Sequence, residues 1–214
     1  TGIGNAFLTE ISKLRALRLL WQSILVSEGK TAANASILAK NLTISYAQND
    51  EHTNILRATS SAMSAVIGGA TYVMIEPWDR KWKEQNAFSS RISRNIQNLL
   101  KEEARLDKNL NPADGSYLIE NLTLEIAKLA WERVQEIEKA GGFTAFAKSG
   151  QLNDMLRKSR IKQLGDYDRN SSVLLGINKF PGSPMKPEQE SKNSPYELLP
   201  DILNIPYHLQ NQEL

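Results

Sequence analysis

The stretch NDEHTNILRATSSAMSAVIGGATYVMIEPWD, residues 49–79, decides the fold class of this chain. Its first half places apolar residues at three- and four-residue spacing, which predicts a helix with one apolar face. Asn49 or Asp50 is expected to cap the start of this helix, because both side chains accept hydrogen bonds from free backbone N–H groups. Gly68 and Gly69 are expected to end it, because glycine readily adopts the left-handed backbone of a helix C-cap.

The second half of the stretch predicts a strand followed by a loop. Residues 70–75 are apolar and partly β-branched, which is typical of a strand covered on both faces. Pro77 cannot donate to a strand ladder, so it marks the start of a loop at the strand's carboxyl end. Helix, glycine turn, buried strand and loop together form the repeating unit of an α/β barrel or a doubly wound sheet.

The same alternation is predicted along most of the chain. The count of three or four strands and five helices corresponds to about half of an eight-stranded barrel. We therefore predict an α/β fold, the C-terminal part of a TIM-type (β/α)8 barrel, over residues 1–179. Before the central stretch we expect a strand end at 1–4, a helix from a cap at Asn5 to about Val26 with Ile11, Leu14, Leu17 and Trp21 on its apolar face, a short turn at 32–38 and a strand at 42–46. After it we expect a helix at 87–106 with Phe88 and Leu99 inward, a turn at 111–115, a fourth candidate strand at 116–119, and a helix from a cap at Asn121 or Thr123 to Gly141. A helical turn at 143–149, a helix at 151–164 and a strand at 173–177 complete the prediction.

Residues 180–214 differ in composition from the rest of the chain. Prolines at 181, 184, 187, 195, 200 and 206 interrupt any regular element. Apolar residues return from Tyr196 onward, and such a segment stays in solution only when it packs on another surface. The sequence therefore predicts a Pro-rich linker that leads into a docking arm.

The composition is that of an ordinary globular protein of 214 residues, with 41% hydrophobic and 23% charged residues. A formal net charge of +2 gives no reason to expect nucleic acid or an anionic membrane as a partner. No apolar run approaches the ~20 residues that a membrane span requires. The absence of cysteine excludes disulfides and thiolate metal sites and fits a reducing compartment, so we expect a cytoplasmic protein.

Short motifs of known chemistry are missing. There is no HExxH motif, no cysteine pair and no nucleophile elbow, so no metal site is expected. The two histidines, His52 and His208, each stand alone, and a solvated or capping role is the alternative to catalysis. Carboxylates group at 102–107 and 132–138 with helical spacing, which is typical of solvated helix faces.

One loop does occupy a suggestive place. Trp78, Arg80 and Trp82 follow a predicted strand at its carboxyl end, where barrel enzymes keep their active sites. The alternative interpretation is a packed loop beneath a partner surface, and the residues alone favour it. Spacing by itself therefore supports no function beyond that of a soluble α/β domain.

Five longer runs, considered together, resemble the barrel domain of methylmalonyl-CoA mutases and related acyl-CoA mutases. They cover most of residues 2–181 in the family's order and nearly at its spacing. The runs are GIGNAFLTEISKLRALRLLW (2–21), NILRATSSAMSAVIGGA (54–70), FSSRISRNIQNLLKEEARLDKNLNPADGSYLIENLT (88–123), WERVQEIEKAGG (131–142) and LLGINKFP (174–181).

This resemblance implies an α/β barrel that carries an acyl-CoA and works beside a separate cobalamin-binding domain. The implied reaction is the adenosylcobalamin-dependent rearrangement between methylmalonyl-CoA and succinyl-CoA. Only the second half of the barrel is matched, and the family's active-site tyrosine, histidine and CoA-binding arginines would lie before Thr1. The Asp-x-His-x-x-Gly signature of the cobalamin domain does not occur in the chain. We therefore expect a piece of a longer protein.

Four positions of the family's catalytic patterns are altered. His-x-Gln-Thr-Ser-Gly-Trp aligns with KNLTISY, so that Lys40 replaces histidine and Leu42 replaces glutamine. Asn-x-x-Asp-Glu aligns with EPWDR, so that Glu76 replaces asparagine and Arg80 replaces the glutamate that faces the adenosyl group. Leucine cannot hydrogen-bond a thioester, and arginine reverses the charge of glutamate. We expect Trp78 and Trp82, with Lys40 and Arg80, to crowd the ancestral cavity.

These replacements resemble the situation in non-catalytic small subunits of the family. The resemblance then implies no catalytic, substrate, cofactor or metal residue on this chain, and a homologous large subunit that binds adenosylcobalamin. Two alternatives stay open: a catalytic acyl-CoA mutase with altered substrate choice, and a non-enzymatic binding module on the same scaffold. A half-barrel exposes strand edges, so the chain on its own is expected to self-associate.

Overall fold

A computed structural model describes residues 1–84 and 86–181 of the chain. Within these residues, a three-stranded parallel sheet has the order β1-β2-β3, with Gly2 opposite Lys40 and Lys40 opposite Met74. The strands are β1 (Gly2–Ile3), β2 (Leu38–Asn41) and β3 (Tyr72–Met74), and the helices are α1 (Phe7–Ser27), α2 (Thr53–Ile67), α3 (Ala87–Glu102), α4 (Tyr117–Lys139), α5 (Phe143–Lys148) and α6 (Gln151–Asp168), with a 3-10 turn at Leu106–Lys108. The predicted α/β class is therefore confirmed, and parallel strands and helices alternate as predicted as far as α3 but not beyond it.

Helix α2 packs against all three strands and organises the core. One cluster joins Ala58 and Ala62 of α2 to Tyr46, Ile75 and α3. A second cluster joins Ala65 of α2 to Leu14 of α1 and to Ile3, Ile37 and Ala39, which lie in or next to β1 and β2. Both clusters lie on the same side of the sheet, so burial of apolar surface there holds the strands and helices together.

The two ends of α2 form differently. Gly68 and Gly69 end the helix as predicted, and Gly69 has the left-handed φ of 81°. Asn49 and Asp50 do not cap its start, which lies at Thr53 and shows no side-chain cap. Residues 50–52 form a turn instead, because the Asp50 carboxylate accepts from the hydroxyl of Thr53 at 2.5 Å.

Strand β3 is not covered on both faces, contrary to the sequence-based prediction. Tyr72 is 63% exposed and Met74 is 46% exposed, whereas Ile75 is buried. Leu38, Lys40 and Leu42 are likewise exposed on the opposite side of the sheet from the helices. We call this surface, lined by the five exposed side chains Leu38, Lys40, Leu42, Tyr72 and Met74, the open face.

Strand β2 lies four residues earlier than predicted. The expected strand at 42–46 is instead a loop, because Ser45 and Tyr46 are turned into the protein and are 3% and 2% exposed. The alternation that marks a strand occurs in Leu38–Asn41, where Ala39 and Asn41 are buried and their neighbours are exposed. The expected turn before residue 38 has no regular structure.

Helix α1 runs over nearly the predicted residues but is not capped by Asn5. The Asn5 side chain accepts a hydrogen bond from the Ser45 hydroxyl at 3.3 Å, and Ala6 occupies the cap position without a side-chain bond. Ile11 and Leu14 are buried as expected, whereas Leu17 and Trp21 are each more than 40% exposed. The apolar face of α1 therefore extends beyond the part of the helix that other described residues cover.

Two predictions fail around α4. The expected strand at 116–119 is the start of α4, which follows Ser116. Neither Asn121 nor Thr123 caps this helix, and the Thr123 hydroxyl donates to the backbone oxygen of Ile119 within it at 2.7 Å. The turn predicted at 111–115 is confirmed, with Gly115 at φ 73°.

The remaining predictions hold in part. Helix α3 ends at Glu102, short of residue 106, and its Phe88 and Leu99 are exposed although the spacing predicted them inward. Helix α6 extends beyond the predicted end. The expected strand at 173–177 reduces to a single bridge between Leu175 and Lys179. The predicted docking arm lies outside the described residues from 182 onward.

Candidate functional site

The site is built from two loops that follow β2 and β3. Because parallel strands end at the same edge of a sheet, residues 42–52 and 75–84 lie side by side. Asn41 joins them: its side-chain oxygen accepts from the backbone N–H of Glu76 at 2.7 Å. Its amide nitrogen donates to the hydroxyl of Tyr46 at 2.6 Å. The two segments that resemble catalytic patterns are therefore held in one fixed relationship.

Asn54, in the first turn of α2, anchors both loops from below and is fully buried. Its side-chain oxygen accepts from the N–H of Ala47 at 3.0 Å, and its nitrogen donates to the Ala47 oxygen at 2.9 Å. The same nitrogen donates to the backbone oxygen of Trp78 at 3.2 Å. Arg57 donates to Asn54 at 2.6 Å and to the Leu175 oxygen at 2.6 Å, which extends the network to residues 173–178.

Three of the four altered positions meet at the carboxyl ends of β2 and β3. The Lys40 ammonium lies 2.5 Å from one oxygen of Glu76, and Arg80 Nε lies 3.8 Å from the other. The Glu76 side chain is 11% exposed, whereas those of Lys40 and Arg80 are 46% and 35% exposed. Glu76 therefore lies between two cations, and this ion cluster keeps a formal charge of +1.

Leu42, the fourth altered position, packs over Gly2 of β1. A Cβ placed on Gly2 would lie 2.6 Å from Leu42 Cδ2, so the leucine occupies the space that a side chain at Gly2 would need. Leu42 brings no hydrogen-bonding group to the open face. An apolar side chain here leaves Lys40 as the polar group that β2 presents to that face.

The two tryptophans do not crowd the open face, so that expectation is wrong. Trp78 is 5% exposed and packs 5.0 Å from the His52 ring, with the Lys83 ammonium 5.1 Å from its own ring. Trp82 packs against the cluster that contains Tyr46, and its indole N–H donates to Glu51 at 3.2 Å. Both rings support the loop from inside, which agrees with the packed-loop interpretation.

Burial changes the proton affinity of two groups beneath the loops. It raises the pKa of Tyr46, and the nearby Glu76 carboxylate adds to this effect. It lowers the pKa of Lys81 from 10.5 to about 8. The Lys81 ammonium donates to the backbone oxygen of Tyr46 at 3.4 Å, so both groups belong to the same loop support.

The other candidates from the sequence do not join this site. His52 is exposed and sits at the start of α2, and His208 lies outside the described residues. The carboxylates of 102–107 and 132–138 are on exposed surfaces, where Glu102, Asp107 and Glu136 pair with neighbouring cations. In the described part of the chain, no group of three or more His, Asp or Glu side chains is placed to hold a metal ion.

Sequence reasoning missed Asn41, Asn54 and Arg57. A signal for Asn54 was present in the sequence, because it is a polar residue in the first turn of the predicted helix, next to the apolar Ile55 and Leu56. Asn41 had none, because its inward direction depends on the true register of β2. The buried residues that hold the loops in place were therefore harder to predict from the sequence than the residues that the loops expose.

Comparison with known proteins agrees with this geometry. Residues 1–198 match the family model described as methylmalonyl-CoA mutase. The match contains both loops and all the strands and helices described above. The chain belongs to the methylmalonyl-CoA mutase family.

Relatives in the mutase family include proteins of two descriptions. A methylmalonyl-CoA mutase small subunit of Porphyromonas gingivalis is 38% identical over 184 residues, which are 84% of this chain and 30% of the relative. A small subunit of Streptomyces virginiae is 35% identical over 83% of this chain and 29% of the relative. A methylmalonyl-CoA mutase of Cereibacter sphaeroides is 32% identical over 95% of this chain and 28% of the relative. The chain thus spans less than a third of the length of these relatives.

That Lys40, Leu42, Glu76 and Arg80 are altered catalytic positions stays a prediction from the resemblance. The geometry adds that three of these side chains are already paired with one another. No helix formed by the described residues combines the length and apolar character needed to cross a membrane.

Proposed function

We propose that this chain is a structural, non-catalytic part of a small subunit of heterodimeric methylmalonyl-CoA mutase. The observation that carries the proposal is the closed ion cluster of Lys40, Glu76 and Arg80 beside the apolar Leu42. A substrate that binds Lys40 or Glu76 would have to break their ion pair, and one that meets Leu42 would leave its own polar groups unmatched, and both cost free energy. In this role the chain supports the rearrangement of methylmalonyl-CoA and succinyl-CoA without performing it.

The architecture proposed for residues 1–179 is part of a TIM-type barrel. Three consecutive parallel strands with connecting helices on one face are what a segment of such a barrel contains. The open face would then line the barrel interior. Its side chains Tyr72 and Met74 are exposed in the described residues, which agrees with further strands covering them in a larger assembly. Residues 180–214 are proposed as the Pro-rich linker and docking arm.

Adenosylcobalamin belongs, in this proposal, to the partner subunit. The described residues do not fit it in the manner of the catalytic pattern. Arg80 stands in the position that resembles the glutamate facing the adenosyl group, and it is paired with Glu76. No step of the rearrangement is therefore assigned to a residue of this chain.

The partner is proposed to be a homologous large catalytic subunit. The small-subunit descriptions of the relatives from Porphyromonas gingivalis and Streptomyces virginiae support this. The outer edges of β1 and β3 have no strand beside them among the described residues, and unpaired edges favour association. We expect self-association when the chain is expressed alone, and size-exclusion chromatography tests it: a well-behaved monomer contradicts the half-barrel architecture.

Turnover measurements test the non-catalytic role. The protein is purified with and without a large subunit of the family and assayed for conversion of methylmalonyl-CoA with adenosylcobalamin. Activity is expected only with the large subunit, and turnover by this protein alone would refute the proposal. In the assembled enzyme, Lys40→Ala is expected to leave kcat within about twofold, whereas removal of the aligned histidine in the large subunit should lower it strongly.

One specific observation favours a second function. Lys40 and Arg80 place two cations in segments that resemble a substrate site, which would suit a catalytic mutase acting on a different acyl group. Glu76 opposes this, because its carboxylate already pairs with both cations and cancels one of the two positive charges. A binding module without enzymatic activity is the third possibility. Turnover of other acyl-CoA thioesters by the protein alone supports the second function, and stable complexes without any effect on turnover support the third.

A further inference from the structure

A cleft lies between the carboxyl end of β3 and helix α3, on the side of β3 away from β2. It has a volume of about 420 Å³, large enough for a small ligand. One wall of the cleft is formed by the end of β3 and the loop after it, and the other by α3. The polar lining consists of Glu76, Arg80, Ser90, Ser93, Arg94 and Gln97.

The charge of this cleft is positive. Glu76 is its one acidic lining residue and is engaged by Lys40 and Arg80. Among the lining residues, Arg80 and Arg94 count as +2 and Glu76 as −1, which leaves a formal charge of +1. Arg80 contacts Glu76 through Nε at 3.8 Å, a distance longer than that of a hydrogen bond. Arg94 is exposed and forms no ion pair with any described residue.

Uncharged donors complete the lining. The Ser90 hydroxyl is withdrawn from solvent and has no hydrogen-bond partner among the described residues. A shielded hydroxyl without a partner costs free energy, which a bound acceptor would recover. The Ser93 hydroxyl is satisfied by donating to the Ser89 oxygen at 3.1 Å. The cleft therefore combines two guanidinium groups with one hydroxyl that lacks an acceptor.

We propose that this cleft binds a compact oxyanion with two negative charges, a phosphate group or a dicarboxylate. Guanidinium groups suit such anions because their planar N–H donors match two oxygens at once. Arg80 and Arg94 hold the anion, and Ser90 donates to one of its oxygens. The cleft shares Met74 with the open face and Glu76 and Arg80 with the ion cluster, but anion binding there does not depend on the non-catalytic role proposed above.

Calorimetric titration of the purified chain with inorganic phosphate tests the site, with sodium chloride holding the ionic strength constant. Arg94→Gln is expected to weaken phosphate binding at least tenfold. The matched control is Arg91→Gln, since Arg91 is exposed on the same helix but does not line the cleft. The control is expected to bind within twofold of the unchanged chain, and circular dichroism verifies that both variants are folded.

A second titration with succinate distinguishes a phosphate from a dicarboxylate as the preferred anion. Tighter binding of either one supports the site and names its class. Absence of binding by both anions at 10 mM overturns the proposal, as does equal weakening by the Arg91 and Arg94 substitutions. These titrations measure anion binding and not turnover. Failure of the anion site can therefore be distinguished from failure of the structural-subunit proposal, which the turnover assay tests.

Discussion

The side-chain oxygen of Asn41 accepts a hydrogen bond from the backbone N–H of Glu76 at 2.7 Å, in the interior of the protein. The contact joins the end of β2 to the loop after β3, across 35 residues of sequence. Asn41 also donates to the Tyr46 hydroxyl, so a single side chain fixes both loops that resemble the family's catalytic segments. The position of the ion-paired Glu76 is therefore set by its neighbour across the sheet.

Replacement of Asn41 by alanine should destabilise the fold by about 2 kcal/mol, because it leaves the buried N–H of Glu76 without an acceptor. The Tyr46 hydroxyl loses one hydrogen bond and keeps its donation to the Glu76 backbone oxygen at 3.4 Å. Urea unfolding followed by circular dichroism measures the change. Asn98→Ala is the matched control, since Asn98 is exposed on α3, and it should change the free energy of unfolding by less than about 0.5 kcal/mol. A loss at Asn41 no larger than at Asn98 would show that the bridge contributes nothing.

The Lys40–Glu76 pair should contribute about 0.5–1 kcal/mol, the range of partly exposed ion pairs. A double-mutant cycle with Lys40→Met, Glu76→Gln and the double variant isolates this coupling from each residue's other effects. Because Lys40 is half-exposed, the coupling should shrink in 1 M salt. A coupling that is zero at low salt would contradict the closed ion cluster on which the proposed function rests.

Lys81 should make the protein more stable as pH rises from 8 to 10. Its pKa is about 8 in the folded state and 10.5 when unfolded. Below pH 8 both states carry the proton; between pH 8 and 10.5 the folded state has lost it and the unfolded state keeps it. Unfolding then takes up a proton, so stability rises by at most about 1.4 kcal/mol per pH unit.

Comparison of the unchanged chain with Lys81→Met isolates this contribution. The variant should lose the rise in stability between pH 8 and 10, whereas Lys128→Met, at an exposed position of α4, should keep it. Measurements stop at pH 10, because the raised pKa of Tyr46 contributes with the opposite sign above that value. Parallel pH profiles for the unchanged chain and the Lys81 variant would contradict the prediction.

Gly68 and Gly165 should respond oppositely to alanine. A Cβ at Gly68 would lie 2.8 Å from Leu14 Cδ1 and 3.1 Å from the Ile11 backbone oxygen, so Gly68→Ala should destabilise by about 1–3 kcal/mol through overpacking against α1. Gly165, inside α6, has only the flexible end of Arg169 nearby, and alanine there should stabilise by about 0.5–1 kcal/mol. Thermal unfolding of the two variants measures both changes in stability. Equal changes would contradict the close packing of α1 on the end of α2.

The sequence allowed prediction of those elements whose signals are local. Gly68 and Gly69 ended α2 as expected because a C-cap needs only the backbone freedom of glycine. Residues 42–46 alternate as a strand does, yet Tyr46 is drawn inward by Asn41, a contact that no local pattern reveals. Periodicity likewise could not tell how much of β3 is covered, because covering depends on surfaces outside the segment itself.

For the site, the resemblance identified the right positions but not their relationships. It placed Lys40 and Glu76 in two separate aligned segments, and the structure pairs them at 2.5 Å. It also assigned Trp78 to a crowded cavity, whereas the ring is buried in the loop support. Side-chain direction at a strand end depends on register and on buried hydrogen bonds, and neither can be inferred from residue types alone.

The alternation within β2 separates two evolutionary tasks. Ala39 and Asn41 point into the protein and keep the loops in place, while Leu38 and Lys40 point outward and carry whatever chemistry the surface has. Outward residues of this kind can be exchanged without loss of the framework, which is how a lineage can abandon a reaction and still inherit a stable subunit.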